Sequence, residues 1–131
     1  MLRKRVTSEL KRRFPEVEIE FRGLEPNVIA VIPPIHNSWK PIVIYDDNSE
    51  VIVYFGQFTH SHYKYYGEAQ SVEAEAEAVA EELCNDLAMV FSDKMEFYKA
   101  GSLSGMGPTE SELSRARRGF PLTLWSGKTI P

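Results

Sequence analysis

The segment Pro41–Tyr66 constrains the fold more than any other part of the chain. Two apolar runs, Ile42–Tyr45 and Val51–Phe55, flank Asp46-Asp47-Asn48-Ser49. β-branched and aromatic residues on either side of an Asp/Asn/Ser cluster predict a β-hairpin with a loop of about four residues. Past Gly56 the composition changes. Thr59-His60-Ser61-His62-Tyr63-Lys64-Tyr65-Tyr66 holds two of the three histidines and three of the six tyrosines. This is where the sequence points to chemistry, and no motif within it fixes a reaction.

The rest of the chain supplies a covering layer and more strands. Leu2, Val6, Leu10 and Phe14 recur every four residues with basic residues between them, which predicts a helix over 2–14. Pro15 ends it, because a residue before proline avoids helical geometry. Glu16–Arg22 alternates charged and apolar residues, so a strand should turn Val17, Ile19 and Phe21 inward. Gly23–Asn27 supplies turn residues. Val28–Ile32 is continuously apolar and suits a more central strand. Pro33-Pro34 stops the sheet, since proline cannot donate to a ladder, and Ile35–Lys40 is a loop.

The clearest helix runs from Val72 to about Ser92. Val72, Ala76, Val79, Leu83, Leu87 and Val90 form one stripe stepping by three and four, and Glu75, Glu77, Glu81, Glu82 and Asp86 lie largely off it. Ser71 is a candidate N-cap, and Glu73, Glu75 and Glu77 suit the positive end of the helix dipole. Cys84 borders the stripe and reads as a buried, inert thiol. Met95–Lys99 follows as a short strand and Gly101–Pro108 as a flexible loop. Thr109-x-x-Glu112 has the pattern of a capping box, with Gly119 ending a short helix. Phe120–Trp125 returns as a last strand, and Ser126–Pro131 is a tail.

Short loops between neighbouring strands favour antiparallel pairing. The predicted fold is therefore α+β: an antiparallel meander of about four to six strands, with the N-terminal helix and one long helix packed on one face. At 131 residues the chain is read as a single domain, 1–131. No apolar run approaches a membrane span, and the basic start is not followed by the apolar core of a signal peptide. A lone cysteine excludes an internal disulfide framework and a Cys-rich zinc site, and points to a reducing, cytoplasmic setting.

Charge is unevenly distributed. Residues 1–15 carry +5, residues 16–99 carry −11 and residues 100–131 carry +2. An acidic body does not suit a nucleic-acid backbone. The basic start reads as the wet face of a first helix, or as a counterweight to the acidic body.

In an extended strand, residues i and i+2 point to the same side. His60 and His62 could therefore share a transition metal, the one cofactor these residues would suit. A third ligand would come from His36, Asp46, Asp47 or Glu68. The competing reading is a surface strand end, with the rings packed on tyrosines. Tyr54, Tyr63, Tyr65 and Tyr66, with Phe55, Phe58 and Trp39 nearby, could form a recognition surface or could partly cover the core. Asp46-Asp47-Asn48 lacks the ligand spacing of an EF-hand and reads as a turn. The candidate binding residues are thus His60, His62, Tyr63, Tyr65, His36, Asp46 and Asp47. His60, His62 and Tyr63 are expected to be partly exposed, near His36 or the Asp46-Asp47 tip.

The string Phe55-Gly56-Gln57-Phe58-Thr59-His60-Ser61-His62-Tyr63, the long helix, and Asp93–Tyr98 together resemble small bacterial α+β proteins with an FTHxH-type string. Some of these are similar to immunity proteins of polymorphic toxin systems. The resemblance covers roughly residues 41–99 and implies a cytoplasmic protein that binds and blocks a toxin. It carries no residue roles with it. An acidic protein suits a basic toxin through electrostatic steering. The expected function is therefore non-enzymatic binding of a protein partner, without nucleic acid or membrane. The alternatives are a metal protein or metal-dependent enzyme using His60 and His62, and a binding protein resembling type III secretion chaperones.

Overall fold

The computed structural model describes residues 2–23, 26–68, 71–111 and 119–130. Helix α1 (Leu2–Arg13) buries Val6 and Leu10 completely and Phe14 nearly so, the stripe its four-residue spacing predicts. Five strands follow as a meander: β1 (Glu20–Phe21), β2 (Val28–Ile32), β3 (Ile42–Asp47), β4 (Glu50–Phe55) and β5 (Thr59–Tyr63), each antiparallel to its neighbour. Helix α2 (Val72–Phe91) packs on α1. This is the predicted α+β arrangement.

Helix α2 begins where its sequence says it should. Ser71 Oγ accepts from the Ala74 amide at 3.0 Å. Its C-terminus closes with Asp93 at φ 58°, a left-handed residue after the helix, as Asp93 N donates to Val90 O at 3.2 Å and Lys94 N to Met89 O at 2.9 Å. Asp93 Oδ1 also accepts from Ser126 N at 3.1 Å, which ties the helix end to the C-terminal segment. Of the predicted stripe, Ala76, Val79, Leu83, Leu87 and Val90 are buried, whereas Val72 is 65% exposed. Cys84 is buried, and burial pushes its thiol up to about 11, as an inert core thiol requires.

The basic residues of α1 meet the acidic helix. Arg5 pairs with Glu77 at 3.2 Å, and Arg13 Nη1 donates to Asn85 Oδ1 at 2.7 Å. Part of the N-terminal positive charge is therefore a counterweight within the fold.

Several boundaries differ from expectation. The alternation over Glu16–Arg22 does keep Val17, Ile19 and Phe21 half-buried and Glu16, Glu18 and Glu20 exposed. Only Glu20–Phe21 pairs, because a turn closed by Val17 N to Phe14 O takes up the first residues. The β3–β4 loop is two residues, not four. Asp46 and Asp47 extend β3, and Asp47 lies opposite Glu50. Asn48 turns the chain at φ 57°, a conformation asparagine tolerates.

The largest difference lies after α2. The glycine-rich stretch expected to be a loop forms β7 (Leu103–Pro108), paired along its length with β6 (Met95–Ala100). Tyr98 is the reason. It lies opposite Gly105, and its ring covers that glycine so closely that a Cβ there would sit 2.6 Å from the phenol oxygen. The tail also pairs. β8 (Leu122–Thr123) and β9 (Thr129–Ile130) form a small hairpin beside β6, completing a second sheet of order β7-β6-β8-β9. The short helix expected after Thr109 falls mainly on residues 112–118, outside the described residues.

Both sheets contribute to one core. Trp39, 4% exposed, sits at the seam, with ring centroids 4.7 Å from Phe58, 4.7 Å from Phe97 and 4.9 Å from Trp125. Its indole Nε1 donates to Leu124 O at 2.8 Å, so the buried polar tip is satisfied. Gly56, at φ +59°, lets the β4–β5 turn close over this indole, since a Cβ would approach Trp39 to 2.8 Å. Gln57 in the same turn accepts from Lys40 N at 2.9 Å and donates to Ser38 O at 2.6 Å. The turn that launches β5 is thus clamped to the loop before β3.

Candidate functional site

The five-stranded sheet has two unlike faces. Ile42, Ile44, Val51, Val53, Phe55 and Tyr63 join the helices in the core. The opposite face carries two cross-strand rows. One runs Val31, Val43, Tyr54, His60, and the other Val28, Tyr45, Ile52, His62. These residues are half-buried or exposed, and Tyr54 is 44% exposed.

Their rings form a continuous ladder. Tyr45 meets Tyr54 edge-on at 5.4 Å, Tyr54 stacks on His60 at 5.1 Å, and His60 meets His62 at 5.2 Å. Glu50 Oε1 lies 3.0 Å from His62 Nδ1, anchoring the far end. Beside the middle rungs a small cavity of about 200 Å³ brings Lys99 and Ser104 of the second sheet against Tyr54 and His60. Beside Tyr45 a cleft of about 320 Å³ is lined by Asn27, Tyr45, Asp46, Asp47, Ile52 and Tyr54. The backbone of Asp46 is held by Asn27 O, 2.7 Å from its amide, which fixes the wall of this cleft.

The expected site is therefore divided. His60 and His62 are exposed, and through the ladder they share a face with the Asp46-Asp47 cleft. Tyr63 is not exposed as expected. It is 2% exposed, and its hydroxyl donates to Asp86 Oδ2 at 2.7 Å. Burial first, and that hydrogen bond second, push its phenol well above the usual range. The strand alternation that points both histidines outward sends Tyr63 to the core. Tyr65 is half-buried outside β5, lining a separate groove with Leu2, Val72, Ala76 and Val79. Tyr66 is 81% exposed.

His36 does not join the histidine pair. Its Nδ1 lies 2.7 Å from Ser38 Oγ and accepts from Ser38 N at 3.0 Å, and its ring lies against Gly127 of the C-terminal turn. Among the described residues, no group of three or more His, Cys, Asp or Glu side chains is placed to hold a metal ion. The third ligand expected from His36, Asp46, Asp47 or Glu68 is not assembled around His60 and His62. Asp46 and Asp47, read as loop residues, are strand residues that wall the cleft.

Tyr45 is the member of this face that residue type alone did not single out. The signal was present. Period-two alternation through the hairpin places Val43, Tyr45, Ile52 and Tyr54 on one side. Among the described residues, no helix is long and apolar enough to cross a membrane. Comparison of the chain with protein-family models, with curated proteins and with solved structures finds no match.

Proposed function

We propose that this chain is a binding protein rather than an enzyme, and that it takes a basic protein partner on the helix-free face of the five-stranded sheet. The aromatic ladder from Tyr45 to His62 carries this reading. Tyrosine and histidine present broad apolar area with directed polar tips, and lose little rotamer freedom when covered, which favours recognition. Asp47 and Glu50 border the ladder, and the chain's formal net charge is −4. An acidic rim around an aromatic centre attracts a cationic surface and then desolvates it. Neutralisation of a basic toxin is the form of this function that the FTHxH-type resemblance favours.

The test uses the protein encoded beside this gene, titrated calorimetrically against the purified chain. The expected result is a defined complex whose affinity falls as salt rises. Replacing Tyr54, His60 and His62 together by Ala should weaken it at least about tenfold. Unchanged affinity in a folded triple variant removes the sheet face from the contact. Turnover of a defined substrate, abolished by a single substitution, overturns the binding reading itself.

A further inference from the structure

We infer that the cleft beside Tyr45 is an arginine-side-chain pocket, the point at which the basic partner inserts one guanidinium. This rests on the sheet-face reading and gives it a chemistry. The cleft joins the rings of Tyr45 and Tyr54 to the carboxylate of Asp47, which lies on their side of the strand, whereas Asp46, opposite the buried Val51, turns its side chain to the other face. The rings meet edge-on, with an interplanar angle of 80°, so they present surfaces in two directions rather than one flat shelf. Among the described residues, the Asp47 carboxylate has no hydrogen-bond or ion-pair partner, and neither phenol hydroxyl has one. Three polar groups with acceptor capacity, the Asp47 carboxylate and the two phenols, thus belong to this cleft and are unused within the fold.

A ligand for this space must be cationic, rich in donors and able to lie on an aromatic ring. Guanidinium meets all three demands. It is planar, always charged, carries five N–H donors, and is weakly hydrated compared with an ammonium. It stacks on tyrosine while donating to carboxylates. An anion is refused by Asp47. A lysine ammonium satisfies the charge but cannot lie flat on a ring while forking to two acceptors. The volume, about 320 Å³, accommodates one side chain rather than a folded element. Lys99 lies against Tyr54 and His60 in a separate cavity and is not among the residues that line the cleft.

The probe is Nα-acetyl-arginine amide, titrated into isotope-labelled full-length protein and followed by NMR. Its neutral isostere Nα-acetyl-citrulline amide and the corresponding lysine amide serve as comparisons. The expected result is a saturable shift of the Tyr45 and Tyr54 ring resonances and the Asp46 and Asp47 amides. The arginine amide should bind at least several-fold tighter than the lysine amide, and the citrulline amide should give no saturable shift. Asp47→Asn should abolish the response while spectral dispersion is kept, and Tyr54→Leu should weaken it. Equal titration by citrulline overturns the inference. So do shifts that map to the glutamates of α2, or an Asp47→Asn variant that titrates like the parent chain. If the arginine amide fails while the protein partner still binds in a manner sensitive to Tyr54, His60 and His62, the pocket assignment falls and the sheet-face reading stands.

Discussion

The two faces of β3, β4 and β5 are both largely apolar, yet they do different things. On the helix side Ile42, Ile44, Val51, Val53 and Phe55 are fully buried. On the other side Val43, Tyr45, Ile52, Tyr54, His60 and His62 stay in contact with water. Aliphatic residues occur on both faces, Val43 and Ile52 on the open one, so what sets the open face apart is the phenols and imidazoles among them. Aliphatic and phenyl groups without polar atoms pack against α1 and α2 and need no partners. Phenols and imidazoles carry a polar tip that must find water or a partner, so they hold an open face without collapsing it. Tyr63 marks the boundary. It is the one tyrosine of the hairpin on the inner face, and it is accommodated because Asp86 accepts its hydroxyl proton.

If the inner face supplies most of the stability, the largest effect comes from its helical cover. Leu87 is fully buried in the cluster that joins α2 to the sheet. Leu87→Ala is expected to cost about 2–5 kcal/mol through lost transfer free energy and a residual cavity. Chemical denaturation with an unchanged slope measures it, and an unchanged midpoint would mean that α2 presents a different face.

Next comes the turn that carries β5. Gly56→Ala puts a Cβ 2.8 Å from Trp39 and 3.0 Å from Lys40 O at positive φ. Both the clash and the backbone conformation oppose it, for a loss of about 1–3 kcal/mol. Because Trp39 lies at the seam of the two sheets, its fluorescence should shift as the variant forms. A variant as stable as the parent, with the same emission, would show that the turn relaxes independently of the core.

A smaller effect separates the boundary residue from both faces. Tyr63→Phe keeps the ring and deletes one hydrogen bond, leaving Asp86 with water in place of the phenol. The expected loss is about 0.5–1.5 kcal/mol. Binding of the partner should be unaffected, since the hydroxyl is turned away from the open face. Loss of binding without loss of stability would return Tyr63 to the contact surface.

The architecture was legible where pattern and length agree. The four-residue spacing of Leu2, Val6, Leu10 and Phe14, the stripe through Leu83 and Leu87, and the paired apolar runs of β3 and β4 each specify one element and one buried side. β7 was not legible, because a run of three glycines and two serines over Gly101–Gly107 has no side-chain period to read. Its pairing depends on Tyr98 covering Gly105, a long side chain compensating across the ladder for a missing one. The terminal hairpin was hidden for a related reason, since it is fixed from outside by Asp93 and by the loop bearing His36 and Trp39. For the site, residue chemistry located His60 and His62 but grouped them with Tyr63 by proximity in sequence and with His36 by residue type. Strand parity separates His62 from Tyr63, and Ser38 and Gly127 hold His36 at the C-terminal turn. Neither Asp46 nor Asp47 could be placed in a cleft wall while the loop was read as four residues.

The smallest expected effect on stability is also the sharpest separation of the faces. His60 and His62 contribute stacking with Tyr54, one contact with each other and one with Glu50, all on the open side of an edge strand. Cross-strand contacts of this kind are each worth roughly 0.2–1 kcal/mol, and an exposed His–Glu pair contributes little. Replacing both histidines by Ala should therefore lower stability by no more than about 1–2 kcal/mol, well below the effect expected for Leu87→Ala. The same change removes two rungs of the ladder and leaves Tyr54 without its stacking partner. If the ladder is the contact surface, affinity should fall by about tenfold or more while the denaturation midpoint moves little. Affinity and stability should thus dissociate here, and move together for Leu87. A double variant that unfolds would make the ladder part of the architecture, and a double variant that binds normally would leave the open face without the role proposed for it.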